Sequence, residues 1–575
     1  MPNKFRSLQI IPLFLSIFLL ITSYVYAAPL NRNETERDDS VVLGAMKDEL
    51  NRSMKKLKLE GYEDPYFISY QIKDNTYYSI DGKYGAVAAS DKNRIRRLFV
   101  DVRVGDYKFD NSVKGRSGGR ISYHNSSLIP LDNDPDAIRT VLWQATDYAY
   151  KDALTQYLNK KADHVQEVKT EETTSFTREK AHVYYGSEES LTFNPKKWEG
   201  VVREVSVIYK DYEQLLDADF NVTAQKETVY FVNTEGTQYV RDEILYSMDA
   251  SVTTRAEDGK IIENYRNLYY VTPGELPSAE EIKKEVTEMV EQTILMREAE
   301  ALPPLSVPAL LEPEAAGVVF HEAVGHRLEG ERQIDDDEGQ TFKDKIGKKI
   351  IPEFITIIDD PTLKSFEGTH LMGYYPFDDQ GIPGQRVVLV ENGVLQNFLL
   401  SRTPVKGFHN SNGHGRASYG QAPIARMSNT IIESSKEYSQ DELKELLIQE
   451  VKRQKKPFGL IIKSMRGGET NTSSYNFQAF RGTPLVLYKV DPETGEETPV
   501  RDIEIVGTPL LSINKIVATG DDYAVFNGFC GAESGYVPVS TVAPSILVSE
   551  MEFQRESSKK EKLPLLPPPV FDREK

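Results

Sequence analysis

One cysteine, Cys530, stands in 575 residues, so an intramolecular disulfide is excluded. Positive charge is also short: 69 Lys and Arg against 88 Asp and Glu leave a formal net charge of −19. The basic residues are dispersed, which argues against nucleic acid as the main partner, because phosphate binding needs a concentrated positive surface. Beyond the N-terminus no apolar run approaches the ~18 residues of a membrane-spanning helix. Glycine (37) and proline (30) are not in excess, so the chain is neither collagen-like nor of low complexity. What is present is core material. With 39% hydrophobic and 10% aromatic residues, the chain can fill about two to four globular domains.

Lys4 and Arg6 precede the apolar run 10–21 and then Val25-Tyr26-Ala27-Ala28, the order of a signal peptide (residues 1–27) cut after Ala27. The expected location is outside the cytoplasm, periplasmic or secreted, with no membrane span after cleavage. In an exported chain a lone cysteine is a buried small hydrophobe, an intermolecular bridge, a nucleophile or a metal ligand.

Residues 28–45 are polar and read as a flexible mature N-terminus. A mixed domain is expected over 46–303. Within it, Asp134-Pro135 caps a helix continued by Ile138, Leu142, Ala145, Ala149, Leu154 and Leu158. Residues 98–104 carry apolar side chains at every even position, the period of a strand. Asp81-Gly82 and Glu235-Gly236 read as hairpin turns, and Ser278 to Glu281 form a capping box ahead of Ile282, Val286, Met289 and Thr293. Pro303-Pro304 marks a boundary. Over 304–550 short strands prevail, with a hairpin at Glu391-Asn392-Gly393, and 551–575 reads as a Pro-rich extended tail. The expected fold class is α+β, a mixed N-terminal domain beside a β-rich C-terminal one.

Glu312-Pro313-Glu314 opens a helix whose small apolar stretch 315–320 marks it as buried. It delivers His321-Glu322-Ala323-Val324-Gly325-His326. Two histidines with a glutamate beside the first are the parts of a zinc hydrolase, imidazoles for the ion and a carboxylate for the proton. The spacing is one residue too long for HExxH, and at about 100° per residue it turns His326 roughly 140° from His321. A bulged or kinked helix is therefore expected, eased by Gly325. The plain alternative is two polar residues at separate edges of a buried helix. Against it, burying two imidazoles and a carboxylate without partners costs several kcal/mol. Cys530 also offers a thiolate to complete a Cys-His-His set with an open fourth position.

Lesser candidates are Glu329, either a ligand-orienting residue or a surface group, and His370, His409 and His414, expected in exposed or turn positions. The run Asp335-Asp336-Asp337-Glu338 lacks the spacing of a calcium loop and reads as a solvated face.

Several ordered motifs accompany the histidines. They are the stretch 317–330, Asp379-Gln380-Gly381-Ile382-Pro383-Gly384-Gln385, Gly415-Arg416-Ala417-Ser418-Tyr419, Arg426-Met427-Ser428-Asn429-Thr430, and Gly528-Phe529-Cys530-Gly531 with Val537-Pro538-Val539. Together they resemble the TldD/PmbA metallopeptidases, also called modulator-of-gyrase proteins, through most of the second half. The resemblance implies a zinc site of His321, His326 and Cys530, with Glu322 as catalytic acid/base. It also implies a two-domain α+β subunit whose C-terminal metallopeptidase domain carries the HExxxH helix and encloses the site in a cavity. Unfolded or short peptides are the implied substrate, bound as an extended strand. A homodimer, or a heterodimer with a paralogue, is the implied assembly. The expectation is a zinc-dependent peptidase of the active type; the alternative is a non-catalytic peptide-binding or regulatory subunit with a structural metal.

Overall fold

The computed structural model describes residues 40–112, 127–164, 174–334, 338–474 and 479–556, with isolated positions in the tail. The expected signal segment and Asp335, Asp336 and Asp337 lie outside the described residues.

Four long strands, Pro65–Lys83, Ala86–Val104, Leu215–Asn233 and Gln238–Arg255, form the centre of a seven-stranded sheet. Alternation along them sets two faces. On one, Ile68, Tyr70, Ile72, Leu98, Val100 and Val102 are covered by helices Val41–Lys56 and Pro135–His164. Further along the same face Ile80, Phe220, Val222, Met248 and Ala250 pack under Pro195–Ser206 and Ala279–Glu298. The opposite face meets the second half of the chain. There Gln71 donates to Asp379 (2.9 Å), Lys73 lies 3.1 Å from Asp379, and Tyr239 donates to the Asp378 carbonyl (3.1 Å).

The capping box at Ser278 is present, and Ile282, Val286, Met289 and Thr293 are all buried. Two local expectations shift. The first helix starts at Val41, inside the stretch expected to be flexible, because the Ser40 side chain accepts from the Leu43 amide (3.1 Å). The turn expected at Asp81-Gly82 falls at Tyr84-Gly85, both with positive φ. Gly82 stays in the strand, where Val202 packs 2.2 Å from the place of a Cβ.

The second half builds two sheets. A nine-stranded one contains Leu305–Leu311, Gly459–Thr470, Phe480–Val490 and Ile546–Arg555; a six-stranded one contains Ile355–Asp359, Asn429–Ser434, Gly535–Ala543 and, at its edge, Ala524–Ala532. Helix Pro313–Ala323 touches both sheets and is buried from Ala315 to Ala323. Its entry follows from sequence: the strand Leu305–Leu311 gives way to Glu312 at the helix N-cap, and Pro313, with no amide hydrogen to lose, takes the first helical position. The last strand runs on to Arg555 and pairs Ile503 to Ile505, so residues 551–555 lie in the sheet rather than in the extended tail expected from 551.

Candidate metal centre and cleft

The helix that carries His321 and Glu322 ends at Ala323. Val324 leaves helical geometry (φ −122°, ψ −47°), and Gly325–Leu328 form a 3₁₀ turn that carries His326. The distortion is thus a break, not a π-bulge. Gly325 permits it, because Met427 Sδ sits 2.2 Å from where a Cβ would stand. Arg327 fixes it, donating to the helix-end carbonyls of Glu322 (2.8 Å) and Ala323 (3.3 Å). The same guanidinium reaches Thr470 Oγ1 (2.9 Å) and the Asn471 carbonyl (3.3 Å).

The break turns the two imidazoles toward one point. Their centroids are 5.0 Å apart with planes at 87°, and both Nε2 atoms address Cys530 Sγ, at 3.2 Å from His321 and 3.4 Å from His326. The three ligand atoms lie within 4.8 Å of one another, and all three residues are buried. Burial pushes the Cys530 thiol up, but His326 and His321 outweigh it and hold the group well below the usual thiol range. A thiolate and two imidazoles converging in this way fit a zinc ion with one position left open.

Glu329 settles the ring orientation of His326: both its oxygens lie 3.2 Å from Nδ1. Burial alone would raise the Glu329 carboxyl, yet His326 and Arg332 hold it at about 2. Arg332 donates to Glu329 (2.7 Å), Glu338 (3.0 Å), Thr472 Oγ1 (3.0 Å) and Glu533 (3.1 Å), tying the histidine turn to the loop that follows Cys530. Arg426 donates to the Cys530 carbonyl (2.6 Å). Sequence reasoning missed Arg332 and the role of Arg426; the only local signal was an arginine one turn beyond Glu329.

Glu322 lies beside the trio. Burial pushes its carboxyl up, opposed by His321 and His326. Below it Gly468 leaves the room its side chain uses, since a Cβ there would stand 2.4 Å from Glu322 Cγ. The other histidines lie elsewhere. His370 pairs with Glu275, and His409 is exposed. His414 lies in a loop, as expected, but is fully buried rather than exposed, 3.1 Å from Asp359, whose buried carboxylate needs the partner. Glu338 is bound to Arg332 rather than solvated.

A cleft of about 1060 Å³ opens at the trio. One wall is the Cys530 strand, which among the described residues is a free edge of its sheet. The other is the end of Gly459–Thr470, which pairs Leu305–Leu311 only through Leu460 to Ile462 among the described residues and so leaves residues 468–470 open on that side.

The family model for the PmbA/TldA metallopeptidase C-terminal domain matches residues 304–555. A metalloprotease of Archaeoglobus fulgidus is 31% identical over 355 residues, 60% of this chain and 76% of that protein. The chain belongs to the TldD/PmbA family. A further relative is a zinc metalloprotease TldD homolog of Saccharolobus solfataricus, 30% identical over 249 residues, 43% of this chain and 51% of that protein. The TldE structure from Thermococcus kodakarensis shares the fold with a TM-score of 0.60 at 15% identity, over 89% of this chain and 100% of that one. The TldD/PmbA match takes in both the histidine helix and the cysteine strand, and ends at Arg555 with the last strand.

Proposed function

We propose that this TldD/PmbA chain is a zinc-dependent peptidase that hydrolyses unfolded or short peptides in its cleft. The observation that carries the reading is the convergence of His321 Nε2 and His326 Nε2 on Cys530 Sγ, with buried Glu322 beside them at a cleft of about 1060 Å³. His321, His326 and Cys530 would hold the ion, which when bound supplies Lewis acidity and makes water a nucleophile near neutral pH. Glu322 takes the proton of the attacking water on its carboxylate and passes it to the leaving amine. Glu329 keeps His326 turned inward. An extended peptide adds beside the free edge of Ala524–Ala532, bound through its backbone, which favours unfolded segments over folded proteins. Export through residues 1–27, and assembly with a second copy or a paralogue, belong to the same proposal.

The test is elemental mass spectrometry together with turnover. About one zinc per chain is expected in the wild type and much less in Cys530→Ser. Glu322→Ala should keep its zinc and lose hydrolysis by about 10²–10⁴-fold. A wild type that takes up no zinc on reconstitution, or a Glu322→Ala variant with undiminished turnover, overturns the proposal. Peptide binding without cleavage by the zinc-loaded wild type would leave a binding subunit instead.

A further inference from the structure

The cleft wall beside Cys530 is aromatic. Strand Ala524–Ala532 pairs antiparallel with Gly535–Ala543, placing Phe529 opposite Pro538, Cys530 opposite Val537 and Gly531 opposite Tyr536. Alternation turns Cys530 to the histidines and sets Phe529 and Tyr536 together on the other face of the hairpin. Tyr536 is 72% exposed, and its ring lies over Gly531, where a Cβ would come within 2.8 Å of Cε1; Phe529 is 49% exposed. Tyr269, on the edge strand Ile261–Tyr270 of the seven-stranded sheet, meets Phe529 edge to face at 6.2 Å. The facing wall is polar, with Thr470, Asn471, Thr472 and Arg481. Large rings left exposed in a cleft gain when an apolar group covers them. Because these rings share a hairpin with the metal-ligating thiol, the group that covers them belongs to whatever enters the cleft.

A peptide added to the free edge of this strand continues its alternation. The residue level with Cys530 turns toward the ligands, and its neighbours turn to the face of Phe529 and Tyr536. We infer that Phe529 and Tyr536, with Tyr269, form a side-chain subsite that selects a large apolar or aromatic residue next to the scissile bond. The inference rests on the peptidase reading and adds a substrate class to it. The edge of Ala524–Ala532 takes the backbone and the rings of Phe529 and Tyr536 take the side chain, through apolar burial and ring–ring contact.

The experiment uses quenched fluorescent peptides identical except at one residue flanking the mapped cleavage point, which is Phe, Leu, Ala or Lys. For the zinc-loaded wild type, kcat/KM should be about tenfold or more higher with Phe or Leu than with Ala or Lys. In Phe529→Ala and in Tyr536→Ala the advantage should fall to about threefold or less, whatever rate remains, with zinc content unchanged. Phe529→Leu, which keeps an apolar surface and guards against a merely misfolded alanine variant, should retain it. Equal rates across the wild-type series overturn the inference, as does a preference that survives both alanine variants. So does a wild-type dimer that Tyr536→Ala dissociates, which would assign the rings to a subunit interface. Failure of the zinc-loaded wild type to cleave any of the peptides strikes the peptidase reading itself, and the subsite with it.

Discussion

Replacing Gly468 with alanine is expected to disable hydrolysis while leaving the metal in place. Gly468 sits on Gly459–Thr470, paired with Gly482, directly against Glu322. An added Cβ would stand 2.4 Å from Glu322 Cγ, 3.0 Å from Cδ and 3.1 Å from the Arg481 carbonyl oxygen. Carbon–carbon contacts favour ~3.5–4.0 Å, so the Cγ contact is short by about 1 Å. The strand is held by its ladder to Phe480–Val490, and the softer partner, the glutamate side chain, has to yield. Its carboxylate then moves by on the order of 1 Å, a misplacement that costs about a hundredfold in rate. That lies inside the range of about 10²–10⁴ that a positioned base contributes. The backbone should tolerate the change: the left-handed φ belongs to Gly467 (141°), not Gly468, and alanine removes unfolded-state freedom worth ~0.4–1 kcal/mol. None of the nearest atoms belongs to His321, His326 or Cys530. The assay is kcat on a quenched peptide, beside zinc content and a thermal midpoint. Full zinc, an intact midpoint and a kcat lowered about a hundredfold are expected. A kcat within about threefold of wild type at full zinc would refute either the placing of Glu322 by Gly468 or its work as the base.

Glu329→Gln removes the anion that orients His326 and pairs with Arg332, and zinc affinity measured by chelator competition should fall about 10–100-fold; unchanged affinity removes Glu329 from the site. Glu331 is a half-buried carboxyl that accepts from the Ser401 hydroxyl and the Ala425 amide (3.0 Å), and its loss of water pushes its pKa from 4.5 up to about 7. Since the folded form then binds the proton more tightly, stability should fall as pH rises between these two values, by about 3 kcal/mol at most. Denaturant unfolding should show that slope in the wild type and not in Glu331→Gln; equal slopes would reject it.

The converging trio was legible because its members are local or unique. His321, Glu322 and His326 lie within six residues, and Cys530 is the one thiol of the chain. The helix that delivers the first pair announces itself through Glu312-Pro313 and a small apolar face, both of which act within a turn of their own position. What escaped the sequence depends on residues brought from afar. Gly325 is explained by Met427, Gly468 by Glu322, and the burial of His414 by Asp359, and no periodicity joins such pairs. The misplaced turn at Asp81-Gly82 has the same origin: Val202, from a helix over a hundred residues later, claims the space beside Gly82.

The break after Ala323 has a consequence that a π-bulge would lack. In a bulge, His326 would stay inside the helical ladder and take its direction from the helix alone. In a break, its direction passes to side chains: Arg327 binds the last helical carbonyls on one side and Thr470 with Asn471 on the other. Arg332 binds Glu329 on one side and Thr472 with Glu533 on the other. Residues 470–472 form one wall of the cleft, and Glu533 follows the strand that forms the other. Two arginines spaced five apart therefore join each wall to the turn that carries His326. The five-residue histidine spacing is best understood through them. It is not a loosened HExxH but the length needed for the chain to leave the helix, where the walls of the cleft also hold His326 in place.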